Sequence, residues 1–292
     1  MYRIAFATSR DYALLIPSER EFVLFAQTRG ISIQPAVWND PDIKWESFDA
    51  VVIRSCWDYY LHAEEFTSWL DCLDSKNITL WNPSGQIRRN MHKFYLRELS
   101  FAGYPVVPTI WLEQGEDADI ASILDSRGWN RAVIKPAVSA GAHETHLVQL
   151  LDTDRAEQIV RRLLPHSSVL VQKYIDEIND PGEWSLVFFN NRYSHAVLKR
   201  PASGDFRVQV HHGGSTTAGL PPRAVLNTAQ SIIDLAGSDI LYARVDGVLS
   251  GNSFQLMELE LIEPELFLDT SPHAFENFAS ALLERLNRDT GT

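Results

Sequence analysis

The first third of the chain alternates short apolar runs with helical patterns, and this alternation constrains the fold more than any other feature. Three apolar runs predict strands, at residues 3–8, 31–38 and 49–54. Residues 17–29 and 62–74 have helical spacing. Strands separated by helices predict a parallel sheet of βαβ units, in which ligands bind beyond the carboxyl ends of the strands. Residues 8–11 and 54–58 follow two such ends.

The pattern changes after a turn at residues 81–85 and a helix predicted over 86–101. From Glu183 onward the chain is mostly β, and Asn190 and Asn191 predict a hairpin turn. Strands are predicted at 131–135, 145–150, 169–175, 184–189, 193–199, 206–211, 243–249 and 254–261, and helices at 154–164, 222–236 and 274–286. We therefore expect an α/β (α+β) protein whose N-terminal parallel domain ends near residue 83.

Charge and composition exclude several classes of partner. The 26 Lys and Arg residues are outnumbered by 38 Asp and Glu, which gives a net charge of −12. Such a chain lacks the basic surface of a nucleic-acid binder and would be repelled by an anionic membrane. The two cysteines make no disulfide framework, no apolar run reaches about 20 residues, and the N-terminus has no signal-peptide shape. We expect a cytoplasmic globular protein.

Lysine is scarce, with only six copies against 20 Arg, and several copies lie at unusual places. Lys135 and Lys199 each end a predicted strand next to a loop. An ammonium group at such a place is well suited to bind the anionic oxygens of a phosphate. The small residues 137–142 would let backbone N–H groups approach a phosphate closely. The chain has neither a Walker motif nor a G-x-G-x-x-G before its first helix, which disfavours those two nucleotide-binding modes.

Three carboxylates lie on two neighbouring predicted strands. Glu258 and Glu260 are two residues apart and share a face, and Asp246 lies on the preceding strand. Carboxylates placed side by side repel one another unless a cation lies between them. The pattern favours a Mg²⁺ site with hard oxygen ligands, typically shared with nucleotide phosphates.

The order of these pieces resembles the ATP-grasp superfamily of carboxylate–amine ligases, in particular its glutathione-synthetase-like and ribosomal-protein-S6-modifying branch. The resemblance is strongest from Trp81 to Phe267 and includes Gly204-Asp205-Phe206-Arg207 followed by His211-His212-Gly213-Gly214. It implies an ATP-grasp fold with a substrate-binding domain at 1–83, a central unit at 84–175 with a small lid at about 108–173, and a C-terminal unit at 176–292. ATP and Mg²⁺ are the implied cofactors.

The resemblance also implies roles for individual residues. Lys93, Lys135 and Lys199 would hold phosphates, beneath a flexible loop that contains Ser139, Ala140 and Gly141. Gln172, Lys173, Tyr174 and Ile175 would contact adenine, and Glu183 would bind ribose. Asp246, Glu258 and Glu260 would bind Mg²⁺, although the family usually has Asn at the position of Glu260, and an acid is common at that of Gln172. Lys199, Arg207 and Arg244 are the expected catalytic residues.

Residues expected at the substrate are Arg54, Ser55, Arg207, His211, Gly213 and Arg244. A guanidinium fork fits a carboxylate, but Arg244 could equally form a salt bridge with a nearby acid, and His211 could equally support the pocket as a loop residue. Trp38, Trp57 and Trp81 could line the substrate site, although core packing is the better expectation.

The residues Arg54-Ser55-Cys56-Trp57-Asp58-Tyr59 and Glu258-Leu259-Glu260-Leu261-Ile262-Glu263-Pro264 resemble most the group that contains the cyclo-ligase of D-cycloserine biosynthesis, which closes O-ureido-serine into a ring. The implied chemistry is phosphorylation of a carboxylate by ATP, followed by attack of an amine on the acyl phosphate. Cyclisation and intermolecular ligation are equally compatible with the sequence. The alternatives are a ligase that modifies a peptide or protein and a nucleotide-binding protein without catalysis. The resemblance also allows a homodimer acting on a small amino-acid-like substrate.

Overall fold

The N-terminal part is a parallel four-stranded sheet, as the alternating pattern predicts. A computed structural model describes residues 2–209 and 212–289. The sheet has the order β2-β1-β3-β4. Its elements are β1 Tyr2–Thr8, α1 Pro17–Thr28, β2 Ile31–Val37, β3 Ala50–Ile53, α2 Ala63–Ser75 and β4 Leu80–Trp81.

Two antiparallel sheets follow, and they confirm the predicted α/β class. The central elements are α3 Ser84–Met91, α4 Tyr95–Phe101, β5 Thr109–Leu112, α5 Ile120–Arg127, β6 Arg131–Pro136, β7 His146–Gln149, α6 Thr153–Leu163 and β8 Val169–Lys173. The C-terminal elements are β9 Glu183–Phe189, β10 Arg192–Arg200, β11 Ser215–Ala218, α7 Arg223–Ala236, β12 Tyr242–Ser250, β13 Ser253–Glu260 and α8 Ala274–Asp289. The central sheet has the order β5-β8-β6-β7, and the C-terminal sheet the order β11-β10-β9-β12-β13.

The helix predicted over residues 86–101 is instead two helices, α3 and α4, and this corrects the position of Lys93. His92 is extended at the end of α3, and the N–H of Lys93 donates to the carbonyl of Ala137 at 2.8 Å. That long-range bond takes Lys93 out of helical hydrogen bonding and joins it to the small-residue loop. Lys93 therefore lies in a turn between helices and not inside one.

The strand predicted at 206–211 is also wrong for its described part, residues 206–209. The carboxylate of Asp205 accepts the N–H groups of Phe206 and Arg207 at 2.7 and 3.0 Å, which forms a side-chain-stabilised turn. The strand that pairs with β10 on this side is β11, which lies later in the chain. The sequence pattern did not predict β11. Strand β5 and helix α5 were missed as well, because both are short and lie between loops.

Helix α8 joins the N-terminal and C-terminal parts through one aromatic core. The ring of Phe278 stacks on Phe22 of α1, with ring centres 4.6 Å apart, and on Phe189 of β9 at 4.7 Å. All three side chains are buried. The N-terminal sheet and the C-terminal sheet therefore share a hydrophobic core, which fixes the loops after β1 and β3 against the C-terminal sheet.

Candidate active site

A cavity of about 700 Å³ lies where the three sheets meet. Its walls come from the loops after β1 and β3, the small-residue loop after β6, the end of β8, and the C-terminal sheet. The volume falls within the range of small-molecule and cofactor sites. It receives side chains from both ends of the chain, as expected for a cleft beyond the carboxyl ends of parallel strands.

Four of the six lysines line this cavity: Lys93, Lys135, Lys173 and Lys199. The ammonium group of Lys93 pairs with Glu258, and that of Lys199 lies 2.5 Å from Glu183 and 3.9 Å from Asp246. Nearby carboxylates outweigh burial and raise the pKa of both lysines. Three of these four lysines are buried, so the cavity gathers most of the chain's few ammonium groups.

Lys135 differs from Lys93 and Lys199 because it forms no ion pair within residues 2–209 and 212–289. Burial lowers its pKa, and the neighbouring charge of Glu258 opposes that effect only in part. A buried ammonium group without a bonded carboxylate is suited to an anionic oxygen from a ligand.

The small-residue loop covers one side of the cavity. Ser139, Ala140 and Gly141 all line it, and Gly141 has a left-handed φ of +58°. The ring of His143 contacts that of Tyr60, with centres 5.0 Å apart, so the loop touches the N-terminal domain across the opening. This is where a loop that covers phosphates is expected.

An apolar cluster forms the end of the cavity beside β8. Gln172, Lys173, Tyr174, Ile175 and Glu183 all line the cavity, as the resemblance implies. Met257, Val248, Phe206 and Val208 belong to the same apolar cluster as Tyr174 and Ile175.

Met257 reaches that cluster because of a bulge. The strand register between β12 and β13 shifts between Asp246 and Gly247, so that Asp246 pairs with Glu258 and Gly247 with Leu256. The extra residue, Met257, therefore lines the cavity beside Glu258. A Cβ on Gly247 would lie 2.4 Å from the carbonyl oxygen of Gln255, so the close approach at this bulge requires glycine.

Asp246, Glu258 and Glu260 line one wall of the cavity, as the strand pattern predicts. Each is paired with a cation: Glu258 with Lys93, and Asp246 and Glu260 with Arg244. Burial acts to raise the pKa of Asp246, but Arg244 and Lys199 outweigh it and hold the pKa at about 2. Burial raises the pKa of Glu260 well above its ordinary value despite Arg244.

The donor chemistry of this wall fits Mg²⁺, because carboxylate oxygens are its preferred protein ligands. In the described part of the chain, however, no three His, Cys, Asp or Glu side chains converge as a metal site. The three carboxylates contact Lys93 and Arg244 instead of one another. They fit by ligand type and by position, and their present partners are side-chain cations.

The two arginines that were expected to be catalytic, Arg207 and Arg244, are each paired with acidic side chains. Arg244 donates to both oxygens of Asp246 at 2.8–3.0 Å, which is the salt bridge that the sequence left open, and it also donates to the carbonyl of Glu265 at 3.1 Å. Arg207 lines the cavity and pairs with Asp205 at 2.7 Å. Both guanidinium groups therefore have fixed orientations.

Three of the predicted substrate residues do not line the cavity, and a fourth, His211, lies outside the described residues. Arg54 is 1% exposed and donates from Nε to Glu19 at 2.9 Å. Ser55 is fully buried and donates to the other oxygen of Glu19 at 2.7 Å. Arg54 thus neutralises an internal acid that lies far away in sequence, which no spacing could reveal. Gly213 has a left-handed φ of +83° and lies outside the cavity wall.

The side of the cavity formed by the loops after β1 and β3 contains aromatic and acidic residues, of which the sequence indicated only Trp57, and for Trp57 core packing was the better expectation. Tyr12, Trp57 and Tyr60 line it, and the rings of Tyr12 and Trp57 meet edge to face with centres 4.6 Å apart. Glu263 and Glu265 line it as well. The sequence signal that could have identified these residues is their position in or near the loops after β1 and β3, beyond the carboxyl ends of two parallel strands. Trp38 and Trp81, in contrast, are buried core residues.

Comparison with known proteins defines the class first. The structure superposes on D-alanine–D-alanine ligase from Bacillus anthracis complexed with ATP, with a TM-score of 0.74, 18% identity and coverage of 98% of this chain and 97% of that chain. It also matches a RimK domain ATP-grasp protein from Sphaerobacter thermophilus, with a TM-score of 0.71, 19% identity, and coverage of 96% and 99%. The chain has the ATP-grasp fold.

The family follows from closer relatives. The chain is 31% identical over 276 residues to the cycloserine biosynthesis protein DcsG of Streptomyces lavendulae, covering 89% of this chain and 91% of that protein. The crystal structure of D-cycloserine synthetase DcsG matches with a TM-score of 0.84, 28% identity and coverage of 97% and 99%. Residues 4–82 match the model of the DcsG N-terminal domain. The protein therefore belongs to the DcsG family of ATP-grasp ligases, which confirms the resemblance seen in its sequence.

No helix in the described residues is both long enough and apolar enough to cross a bilayer. The cytoplasmic location, the homodimer and the domain boundaries near residues 83 and 175 stay predictions from the sequence.

Proposed function

We propose that the protein is an ADP-forming ligase that makes a C–N bond on a small amino-acid-like carboxylate, with ATP and Mg²⁺ as cofactors. The observation that carries the proposal is the placement of Lys93, Lys135, Lys173 and Lys199 around one cavity that three carboxylates also line. Family membership supports it, because this is an ATP-grasp ligase related to DcsG.

In the proposed site, the protein positions phosphate and neutralises its charge. Lys135 is buried, has no ion pair with a described residue, and is the first candidate for a phosphate oxygen. Lys93 and Lys199 are held near it by Glu258 and Glu183. Phosphoryl transfer needs positioning and charge stabilisation more than a covalent protein group, which agrees with a site built from ammonium and guanidinium groups.

Asp246, Glu258 and Glu260 are the proposed magnesium ligands. When bound, Mg²⁺ would stabilise the negative charge of phosphate oxygens. Arg244 pairs with both Asp246 and Glu260, and the low pKa of Asp246 keeps that carboxylate ionised across the physiological range. The wall therefore supplies anionic oxygens without any change of protonation at Asp246.

The proposed reaction has two steps. Transfer of the γ-phosphoryl group to the substrate carboxylate gives ADP and an acyl phosphate. The amine then attacks the acyl carbon, phosphate leaves, and the amine loses a proton. The similarity to D-cycloserine synthetase DcsG favours an intramolecular reaction, in which the attacking amine belongs to the same molecule as the carboxylate and the product is a ring.

ADP release across a panel of substrates tests the proposal. With ATP and Mg²⁺, we expect ADP from one free amino acid without a second substrate if the reaction is a cyclisation, and from a pair of substrates if it is intermolecular. A coupled ADP assay with free amino acids, their pairs and short peptides measures this. Absence of ADP with every substrate, together with absence of ATP binding by calorimetry, would overturn the ligase assignment.

A Lys135→Met variant is expected to bind ATP about 10-fold to 100-fold more weakly, because it removes a charge-assisted contact of about 1.5–3 kcal/mol while keeping an apolar stem of similar length. Lys44→Met is the matched control, since Lys44 is exposed and lies outside the cavity. Calorimetric titration with a non-hydrolysable ATP analogue measures both. Equal affinity in the two variants would contradict a phosphate role for Lys135.

A further inference from the structure

Tyr59, in the loop after β3, is a buried tyrosine whose hydroxyl group has no bonded partner. The residue is 4% exposed and lines the cavity. Across residues 2–209 and 212–289, no residue makes a hydrogen bond with that hydroxyl, whereas the hydroxyl groups of Tyr95 and Tyr242 are bonded to main-chain groups. A buried hydroxyl without a partner is costly, so phenylalanine would be the more stable choice here unless a ligand supplies the partner.

The side chain of Tyr59 is held in place without a ligand. Its main-chain N–H donates to the carbonyl of Cys56 at 3.1 Å. Its ring packs against that of Phe66 on α2, with ring centres 5.3 Å apart. The same loop is fixed to the C-terminal part by Trp57, whose indole N–H donates to the carbonyl of Glu263 at 2.8 Å. A donor held by a rigid loop needs no reorganisation when charge develops beside it.

The charges around Tyr59 show on which side its hydroxyl group lies. Burial raises the pKa of Tyr59 well above its ordinary value, and the charges of Glu263, Glu258 and Glu260 raise it further. All three acids line the cavity, whereas the ring belongs to the apolar cluster of the N-terminal part. The hydroxyl group therefore lies on the cavity side of the ring. It stays protonated, so it can donate a hydrogen bond but cannot act as a base.

The position of Tyr59 favours a group of the substrate over a group of ATP. Tyr174 and Ile175, which are expected at adenine, belong to a different apolar cluster. Tyr59 comes instead from a loop beyond the carboxyl end of a parallel strand, and its hydroxyl feels the charge of the proposed magnesium ligand Glu258. In the proposed reaction, the substrate carboxylate receives its phosphoryl group beside the magnesium ligands, so its acyl group is expected near this hydroxyl.

We propose that Tyr59 is a catalytic residue whose hydroxyl group donates a hydrogen bond to the acyl oxygen of the substrate. The inference rests on the proposed ligase function and adds a residue to it. When the amine attacks the acyl carbon, the C=O electron pair moves onto that oxygen, and Tyr59 stabilises the oxyanion while keeping its own proton. The C=O bond then re-forms, the bond from the acyl carbon to the phosphate oxygen breaks, and phosphate leaves with the electron pair and takes up the amine proton.

A Tyr59→Phe variant tests this role by separating the two steps. We expect kcat to fall about 100-fold, because removal of one preorganised donor to an oxyanion has an effect of this size. The KM for ATP and the Mg²⁺ dependence should not change. The probe is O-ureido-D-serine or, if it gives no ADP, the substrate of the panel above that gives the most. Positional isotope exchange in ATP labelled at its β,γ-bridge oxygen reports the first step, and its ratio to product formation should rise.

Two further tyrosines provide controls. Tyr104→Phe removes a hydroxyl that donates to the carbonyl of Ser231 outside the cavity, and it should keep wild-type turnover. Thermal unfolding is independent of turnover. Tyr59→Phe should melt at the wild-type temperature or above it, because its hydroxyl has no described partner to lose. Tyr242→Phe should melt lower, because its hydroxyl donates to two main-chain carbonyls at 2.7 Å.

Four results would overturn the inference and leave the ligase function standing. These are an unchanged kcat in Tyr59→Phe, a raised KM for the substrate with kcat unchanged, a loss of isotope exchange equal to the loss of product, and a melting temperature lowered as in Tyr242→Phe. The second would make the hydroxyl a binding group only, the third would place it in the first step, and the fourth would make it structural. Absence of ADP from the wild-type protein with every substrate would refute the ligase function and the inference together.

Discussion

A Glu258→Gln variant is expected to fold like the wild type and to lose turnover by at least about a hundredfold. The change removes the charge of a proposed magnesium ligand while keeping the shape of the side chain, and a metal contributes several kcal/mol of charge stabilisation to phosphoryl transfer. Asp246 directly opposite on β12 stays in place, so the wall keeps one carboxylate at this level of the sheet. The coupled ADP assay at saturating ATP measures the effect.

The fold should tolerate this change because other acidic residues remain near Lys93 in the variant. Besides Glu258, the charges of Glu260 and Glu263 raise the pKa of Lys93 against the effect of burial. Circular dichroism and the melting temperature should therefore resemble those of the wild type, and those of the surface control Glu46→Gln. Wild-type turnover in a folded Glu258→Gln protein would refute the metal assignment.

An Arg54→Met variant is expected to lose about 3–5 kcal/mol of stability, since it leaves the carboxylate of Glu19 buried without its cation. Arg54 and Glu19 are each 1% exposed. The guanidinium of Arg54 also donates to the carbonyl of Pro264 and lies over the ring of Tyr242, so the loss extends to the joint between the N-terminal and C-terminal parts. Urea unfolding followed by circular dichroism measures the change.

The double variant Arg54→Met with Glu19→Gln separates a structural role from a substrate role. Removing both charges should restore at least half of the lost stability, because a neutral amide is much less costly to bury than an unpaired carboxylate. Ser55 can still bond to the amide oxygen of Gln at that position. A single variant with normal stability and a raised KM for the amino acid would instead support the substrate role that the sequence indicated.

The sequence predicted those parts of the fold whose pattern is local and regular. The parallel N-terminal sheet followed from alternating strands and helices, and the hairpin at Asn190 and Asn191 followed from two residues that tolerate positive φ, here 45° and 62°. The shared face of Glu258 and Glu260 followed from strand periodicity. The scarce lysines were informative because a lysine at the end of a predicted strand, beside a loop, indicated a binding site for an anionic group.

What the sequence could not predict depends on contacts between distant residues. The helix break at Lys93 follows from a bond to Ala137, and the burial of Arg54 follows from Glu19. Both partners are more than 30 residues away. The bulge that turns Met257 into the cavity depends on how β12 and β13 pair, which periodicity treats as regular. Glu263 was visible only as one more acid in an acidic stretch.

The distribution of the lysines has a practical consequence for chemical labelling. Lys44, Lys76 and Lys173 are exposed, whereas Lys93, Lys135 and Lys199 are buried in the cavity wall. Mild acylation would therefore modify the three exposed lysines quickly and the three buried lysines slowly. Of the exposed lysines, only Lys173 lines the cavity. Peptide mapping after a short pulse of reagent would read nucleotide occupancy from Lys173, with Lys44 and Lys76 as internal references in the same sample.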